Sequence, residues 1–280
     1  MRATLLLAVL LSAKAIANQA PPAPSLSPDE LVRKVVNHEL QEENQDHSHW
    51  MYQVVTNSPA PSKTSIVVET KNGNVTYLDS IDGRPLSPRQ RTEENRRVGR
   101  FISDPAEQRK ARTADAADAK KSADMFSMLP DAFLFRVAGT KGDNVRLSFT
   151  PNPNFTSHSK EAYIFHKMDG FVIVNTKANE LVEISGHLTH AVEFVGGLLG
   201  HLDTGGVFDV QREEVSPGHW FITRLKVDMN GKALIFKTIA VQQDEVHSHF
   251  QPVPDSTTLP QAGALAQKQS AAATPGSPAA

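Results

Sequence analysis

Two copies of a His-Ser-His sequence are the residues in this chain whose types and spacing could do chemistry. The first copy places His47 and His49 at the start of an expected strand, and the second places His247 and His249 in the last expected strand. Side chains at positions i and i+2 of a strand point to the same face, about 7 Å apart, so each pair could hold one metal ion. If the first and last strands meet, all four imidazoles could share a zinc or similar divalent ion. A hydrogen-bonded structural role is the alternative, because most histidines bind no metal.

The acidic neighbours Asp46 and Glu245 would be further ligands of such an ion. No spacing fixes them in a known zinc pattern, and the chain contains no H-E-x-x-H sequence. The nucleophile elbow G-x-S-x-G, the phosphate loop G-x-x-x-x-G-K-S/T and the dinucleotide pattern G-x-G-x-x-G are also absent. We therefore expect a protein that is not an enzyme and has no cofactor, and we keep the metal site as an alternative.

Composition and charge narrow the class of protein further. The 280 residues include 29 Lys+Arg and 31 Asp+Glu, a net charge of −2, so no overall basic field attracts nucleic acid. Cysteine is absent, which excludes disulfides, thiolate metal ligands and cysteine nucleophiles. The hydrophobic fraction of 39% is that of an ordinary globular domain.

The first seventeen residues are typical of a signal peptide. Arg2 supplies the positive charge, 5–11 form a short apolar run, and Ala15-Ile16-Ala17 offers a small-x-small cleavage site. The run is much shorter than the ~20 residues of a membrane-spanning helix, so we expect no transmembrane anchor. The sequence predicts a periplasmic or secreted protein, and the lack of cysteine favours a bacterial envelope.

Four segments are expected along the chain: the signal peptide (1–17), a flexible Pro/Ala/Ser-rich leader (18–27), a single domain (28–253) and a disordered tail (254–280). The domain begins with a helix from Pro28, because Ser27 and Glu30 form a capping box before apolar residues at helical spacing.

Most of the domain alternates apolar and polar residues with a period of two, which predicts a succession of short strands. Asn230-Gly231 is the strongest hairpin signal, and Asp169-Gly170 is another turn candidate. Strands joined by short turns predict an antiparallel meander. One strand is expected at 161–166. The segment 85–129 interrupts this rhythm with helix formers and a local excess of basic residues, so we expect a helical insertion that is a lid, a partner surface or a solvated hairpin.

This order of elements resembles the periplasmic lipoprotein-carrier family. The features that carry the resemblance are the helix from Pro28, the strands from Trp50, the insertion 85–129 and the meander 170–250. Short strings, such as Asp46-His47-Ser48-His49-Trp50, are also similar to uncharacterised secreted bacterial proteins. The resemblance implies an α+β fold with a curved antiparallel sheet, a half-open β-barrel closed by helices over an apolar cavity.

On this basis we expect a binding protein for a lipid, a lipoprotein acyl chain or another apolar ligand. The wall residues, chosen by strand alternation, are Tyr52, Val54, Val68, Phe165, Val172, Phe221, Leu225 and Phe236. A second hypothesis is a metal-binding protein or metal-dependent hydrolase that uses the two histidine pairs. A third is an envelope sensor whose proline-rich leader and tail reach other envelope proteins, and deletion of 85–129 should then abolish partner binding.

Overall fold

A computed structural model describes residues 26–272, except 59, 157–158, 160–161, 195–199 and 234–236. The expected signal peptide lies outside the described residues. The helices are α1 (Pro28–Gln45), α2 (Pro88–Ser103), α3 (Pro105–Ser127), α4 (Leu129–Ala132), α5 (Leu259–Ala272) and a 3-10 helix (Ala162–Lys167). The strands are β1 (His49–Ser58), β2 (Lys63–Val68), β3 (Val75–Ile81), β4 (Arg84–Pro85), β5 (Phe133–Lys141), β6 (Asn144–Pro151), β7 (Met168–Asn175), β8 (Glu180–Leu188), β9 (Val192–Phe194), β10 (Gly200–Leu202), β11 (Val207–Ser216), β12 (His219–Ala233) and β13 (Lys237–Val253).

The strands form one open, curved antiparallel sheet in the order β4-β3-β2-β1-β13-β12-β11-β8-β7-β6-β5. β10 pairs with β12 beside this path, and β9 pairs with β10. The last strand, β13, lies next to the first, β1, so residues far apart in sequence meet in the middle of the sheet. Together with the N-terminal helix and the helical insertion, this sheet confirms the predicted α+β fold class.

Helix α1 begins where the capping box predicts. The backbone amide of Glu30 donates to the Ser27 hydroxyl at 3.3 Å, and the Glu30 carboxylate accepts from the Ser27 amide at 2.9 Å. The apolar stripe of α1 is buried against the sheet: Leu31, Val32, Val35 and Val36. The helix thus follows from its sequence, because its cap and its apolar spacing agree.

Two apolar cores lie on opposite faces of the sheet. Cross-strand partners share a face, and the register joins Leu147, Val172, Ile184, Val210, Leu225, Glu245 and Thr56 in one continuous row. α1 and the 3-10 helix pack on this face over the half of the sheet that runs from β5 to β8, and we call it the α1 face. Met51 has the opposite parity to Thr56 in β1, and it packs with residues of α2 and α5 on the other face, the α5 face.

Helix α3 connects the two faces. It starts beside α2, and the Arg112 guanidinium donates to the Asn72 carbonyl at 2.9 Å, at the turn between β2 and β3. It ends with Phe126 packed against the core of the α1 face. No residue of α3 is buried, and all of 112–122 are exposed. The helix, ~34 Å long, therefore contacts the rest of the domain near its start and its end but not along its middle.

The C-terminal segment differs from the sequence expectation. Residues 254–280 were expected to be disordered, because they have almost no large apolar side chains. α5 instead covers the α5 face, with Leu259, Ala262 and Ala266 buried, and 273–280 lie outside the described residues. The helix packs through small side chains: its alanines let the helix backbone lie close to β2 and β3, where larger side chains would hold it away.

The two turn candidates at Asn230-Gly231 and Asp169-Gly170 are wrong, because both dipeptides lie inside paired strands. The glycines are needed for close approach rather than for a turn. A Cβ at Gly231 would lie 2.0 Å from the His201 carbonyl oxygen, and a Cβ at Gly170 would lie 2.0 Å from that of Ser185. The expected strand at 161–166 is also wrong, because residues from Ala162 onward form the 3-10 helix.

Among the described residues, no helix is both long enough and apolar enough to cross a membrane.

Candidate functional site

A cleft of about 690 Å³ opens on the α1 face, where the helices leave the middle of the sheet uncovered. Its floor comes from β8, β11 and β12, and its walls are the last turns of α1 and α3. The apolar lining consists of Leu40, Phe126, Leu181, Ile184, Val210, Trp220, Phe221 and Ile222. Ile222 is 38% exposed, so part of this apolar floor is open to solvent.

Arg212 anchors one wall of the cleft through a network of buried charges. Its guanidinium donates to the Glu39 carboxylate of α1 and, at 3.2 Å, to the Glu180 carboxylate of β8. It also donates to the backbone carbonyl of Trp220 at 3.2 Å, and Glu39 accepts from the Leu181 amide at 3.0 Å. The side chains of Arg212, Glu39 and Glu180 are only 16%, 14% and 9% exposed. The network therefore ties the end of α1 to three strands of the sheet.

The Glu180 carboxyl at this wall has a raised pKa. Burial, and then the neighbouring Glu39 carboxylate, raise the pKa of Glu180 to about 8, although Arg212 opposes the shift. A carboxyl group with such a pKa is protonated at neutral pH and can donate a hydrogen bond.

Further carboxylates form a rim around the cleft: Glu42, Glu43, Asp46 and Glu69. Burial raises the pKa of Glu69, although its carboxylate accepts from the Trp50 amide at 3.0 Å. Burial also opposes ionisation of Asp46, but hydrogen bonds from Ser48 and the nearby His219 outweigh it and lower the pKa of Asp46. The rim is therefore predominantly acidic, with His219 and Arg212 as its basic members.

A run of aromatic rings leads from the cleft towards β13. Successive ring centroids are 5.1 to 5.7 Å apart along His219, Trp50, Phe221, Phe250, Tyr52 and His247. Burial raises the pKa of the Tyr52 phenol, which therefore keeps its proton. Aromatic pairs at these distances hold their side chains in place, so the run makes a stiff edge for the cleft.

The expected wall residues do not all meet in one place. Phe221 lines the cleft. Tyr52 and Val54 lie in β1, Leu225 lies in β12, and none of the three lines the cleft. Val172 and Phe165 are buried in the core of the α1 face, Val68 is fully buried on the α5 face, and Phe236 lies outside the described residues.

His49 and the second pair lie on neighbouring strands but at different positions along them, and His47 precedes β1. β1 and β13 do pair, as the shared-site hypothesis requires, yet His49 lies opposite Val253 and His247 lies opposite Val54. Five residues along β1 separate these levels, about 16 Å, so one ion does not reach both pairs. Within the described parts of the chain no group of three or more His, Asp and Glu side chains is arranged to hold a metal ion.

Each histidine has its own surroundings instead. His47 is exposed before β1, and His49 lies 3.5 Å from the Asp255 carboxylate. His247 lies 3.3 Å from Glu245, and its ring stacks on Tyr52. His249 has a positive φ of 59°, where the register of β13 against β1 shifts, which turns it away from the regular alternation of the strand.

The charged network and most of the floor are not among the residues that the sequence predicts for a site. Arg212 follows Phe208 and Val210 at alternate positions of β11, Glu180 is the first residue of β8, and Glu39 follows the apolar stripe of α1. A charge at an inward strand position is the available signal, because it must find a partner there. The sequence does not say which helix supplies that partner.

Comparison with known proteins finds no relative: no family model matches the chain, and no curated protein and no solved structure matches it either. The resemblance to the lipoprotein-carrier family has no support from these comparisons.

Proposed function

We propose that this protein binds an apolar or amphiphilic ligand, such as a lipid or a lipoprotein acyl chain, in the cleft of the α1 face and does not convert it chemically. The observation that carries this proposal is the apolar floor beneath the end of α3, with Ile222 open to solvent. We further propose that it does so in the periplasm or outside the cell, on the basis of the N-terminal pattern.

The size and lining of the cleft suit such a ligand. Ligand pockets usually enclose roughly 300 to 1,000 Å³ and are mostly apolar with a few polar groups. Each methylene removed from water contributes about 0.8 kcal/mol, so a chain of moderate length offsets the cost of its immobilisation. The rim carboxylates would repel an anionic head group, and we therefore expect the ligand's polar end to be neutral or cationic.

A substitution on the exposed floor tests this proposal without disturbing a core. Ile222→Asp places a charge in the apolar lining, and we expect it to weaken binding of the neutral fluorophore N-phenylnaphthylamine about tenfold or more. Val137→Asp is the matched control, because Val137 is a strand residue that is 50% exposed and lies outside the cleft. Fluorescence titration gives both affinities. Equal effects of the two substitutions, or no binding by the unchanged protein, would contradict the proposal.

The metal-binding alternative now concerns each histidine pair separately. In the second pair, His249 leaves the strand alternation at its positive φ, so His247 and the further candidate Glu245 are the two donors on one face of β13; His47 with His49 offers two before and in β1. Two protein ligands are fewer than the three or four of most zinc sites. Elemental analysis of the purified chain before and after a chelator separates this alternative from ligand binding in the cleft.

A further inference from the structure

Helix α2 carries a line of arginines on its outer side. Arg89, Arg96 and Arg100 follow one another at spacings of seven and four residues, which places them on one stripe of the helix. The buried residues Glu94 and Val98 lie on the opposite stripe, against β3 and α5. All three arginines are exposed, so the stripe faces solvent.

The same charge continues into the start of α3. Arg109 and Lys110 are exposed there, close to the corner between the two helices. The segment 84–112 holds nine Lys and Arg against four Asp and Glu, whereas the whole chain holds 29 against 31. We call Arg89, Arg96, Arg100, Arg109 and Lys110 the cationic face.

The neighbouring charged groups leave this face positive. Glu93 lies on the same stripe and pairs with Arg89 at 3.0 Å. Arg97 does not add to the face, because its guanidinium is bound to the Glu94 carboxylate and to the Thr76 carbonyl. Asp104 caps α3 through the amides of Ala106 and Glu107. Asp104 and the exposed Glu107 bring two negative charges to this corner, so Arg96, Arg100, Arg109 and Lys110 leave an exposed excess of two positive charges.

We propose that the cationic face docks this protein on an anionic membrane surface. Charge complementarity is the argument, since basic side chains on a helix are attracted to a layer of anionic head groups. A protein can bind a planar anionic surface through cations that lie along one side of a helix, and α2 has such a stripe. A single-stranded nucleic acid requires aromatic side chains on which bases stack, and the one aromatic residue of α2, Phe101, packs inward. The proposal does not depend on the cleft.

Vesicle co-sedimentation of the full chain tests this docking. The probes are vesicles of phosphatidylcholine alone and vesicles that also contain phosphatidylglycerol. We expect binding only to the second kind, and we expect about 0.5 M salt to abolish it, since salt at that level screens exposed charges beyond a few ångströms. The triple variant Arg89→Gln, Arg96→Gln, Arg100→Gln should bind at least about tenfold more weakly.

A second triple variant distinguishes the position of the charges from their number. Arg136→Gln, Lys141→Gln and Lys177→Gln removes three exposed cations from the far end of the sheet and should change binding less than about twofold. Equal losses in both triple variants, equal binding to both kinds of vesicle, or tighter binding to a DNA duplex at the same salt would overturn the proposal. Circular dichroism and fluorophore binding in the cleft should be the same in all three proteins.

Discussion

Single residues of the buried charge network at the cleft wall should contribute strongly to the free energy of unfolding. Arg212 lies between two carboxyl groups, and all three side chains are less than a fifth exposed. Removing one partner of a buried charge network leaves the other uncompensated, and this usually costs more than the pair contributes when intact. We expect Arg212→Gln to lower the free energy of unfolding by about 3 to 5 kcal/mol.

Urea unfolding measures this change, and Arg224→Gln is its control. Arg224 is 42% exposed and lies 3.4 Å from the Asp244 carboxylate, so its pair is screened by water. The control substitution should cost less than about 1 kcal/mol. Similar costs for both arginines would mean that the network does not hold α1 to the sheet.

The raised pKa of Glu180 predicts a pH dependence of stability. The folded protein holds this proton up to about pH 8, whereas the unfolded chain releases it near 4.5. The folded state therefore binds more protons between these values, and the contribution of Glu180 to stability is complete below pH 4.5 and is lost as the pH rises through about 8. Glu180→Gln, which does not titrate, should flatten the fall in unfolding free energy across this range.

Urea titrations at several pH values between these limits measure the slope. Glu213→Gln on the exposed part of β11 is the control and should leave the slope as it is. An unchanged slope in the Glu180 variant would show that another group causes the pH dependence.

At the level of elements, α5 is a structural part of the domain. Within this helix, Ala266 is fully buried and Ala264 is exposed. Ala266→Asp should cost more than about 3 kcal/mol, because it places a carboxylate in an apolar contact, and Ala264→Asp should cost no more than about 1 kcal/mol. Thermal and urea unfolding compare the two, and a disordered segment would tolerate both equally.

The elements also show what sequence patterns could and could not predict. The capping box at Ser27 and the period-two strands placed α1 and most of the sheet correctly, because cap and alternation are local signals. α5 was not predicted, because the expectation of disorder rested on the scarcity of large apolar residues. Its small residues pack instead by bringing the helix backbone close to the sheet. Gly231 was interpreted as a turn because no local pattern shows that β10, about thirty residues earlier in the chain, passes close to it.

For the whole molecule, the candidate site depends on long-range arrangement. Alternation predicts two faces for each strand, but only the register between strands shows that Tyr52 and Val68 lie on opposite faces of the sheet. Which face the helices cover is decided by the path of the chain, with α1 on one side and α5 on the other. The cleft is the part of the α1 face that neither α1 nor α3 covers, so no local pattern contains it.

A ligand whose apolar part lies in this cleft should leave its label there, and photolabelling with a neutral alkyl diazirine shows where that part lies. After irradiation of the full chain with the probe, peptide mass spectrometry locates the labelled residues. We predict labels on Ile184, on 220–222 and on Phe126, together with protection of these positions by excess unlabelled lipid. Labels that are confined to Leu134 and Val137, the exposed apolar residues outside the cleft, and that competitor does not reduce would mean that the cleft is not the binding site.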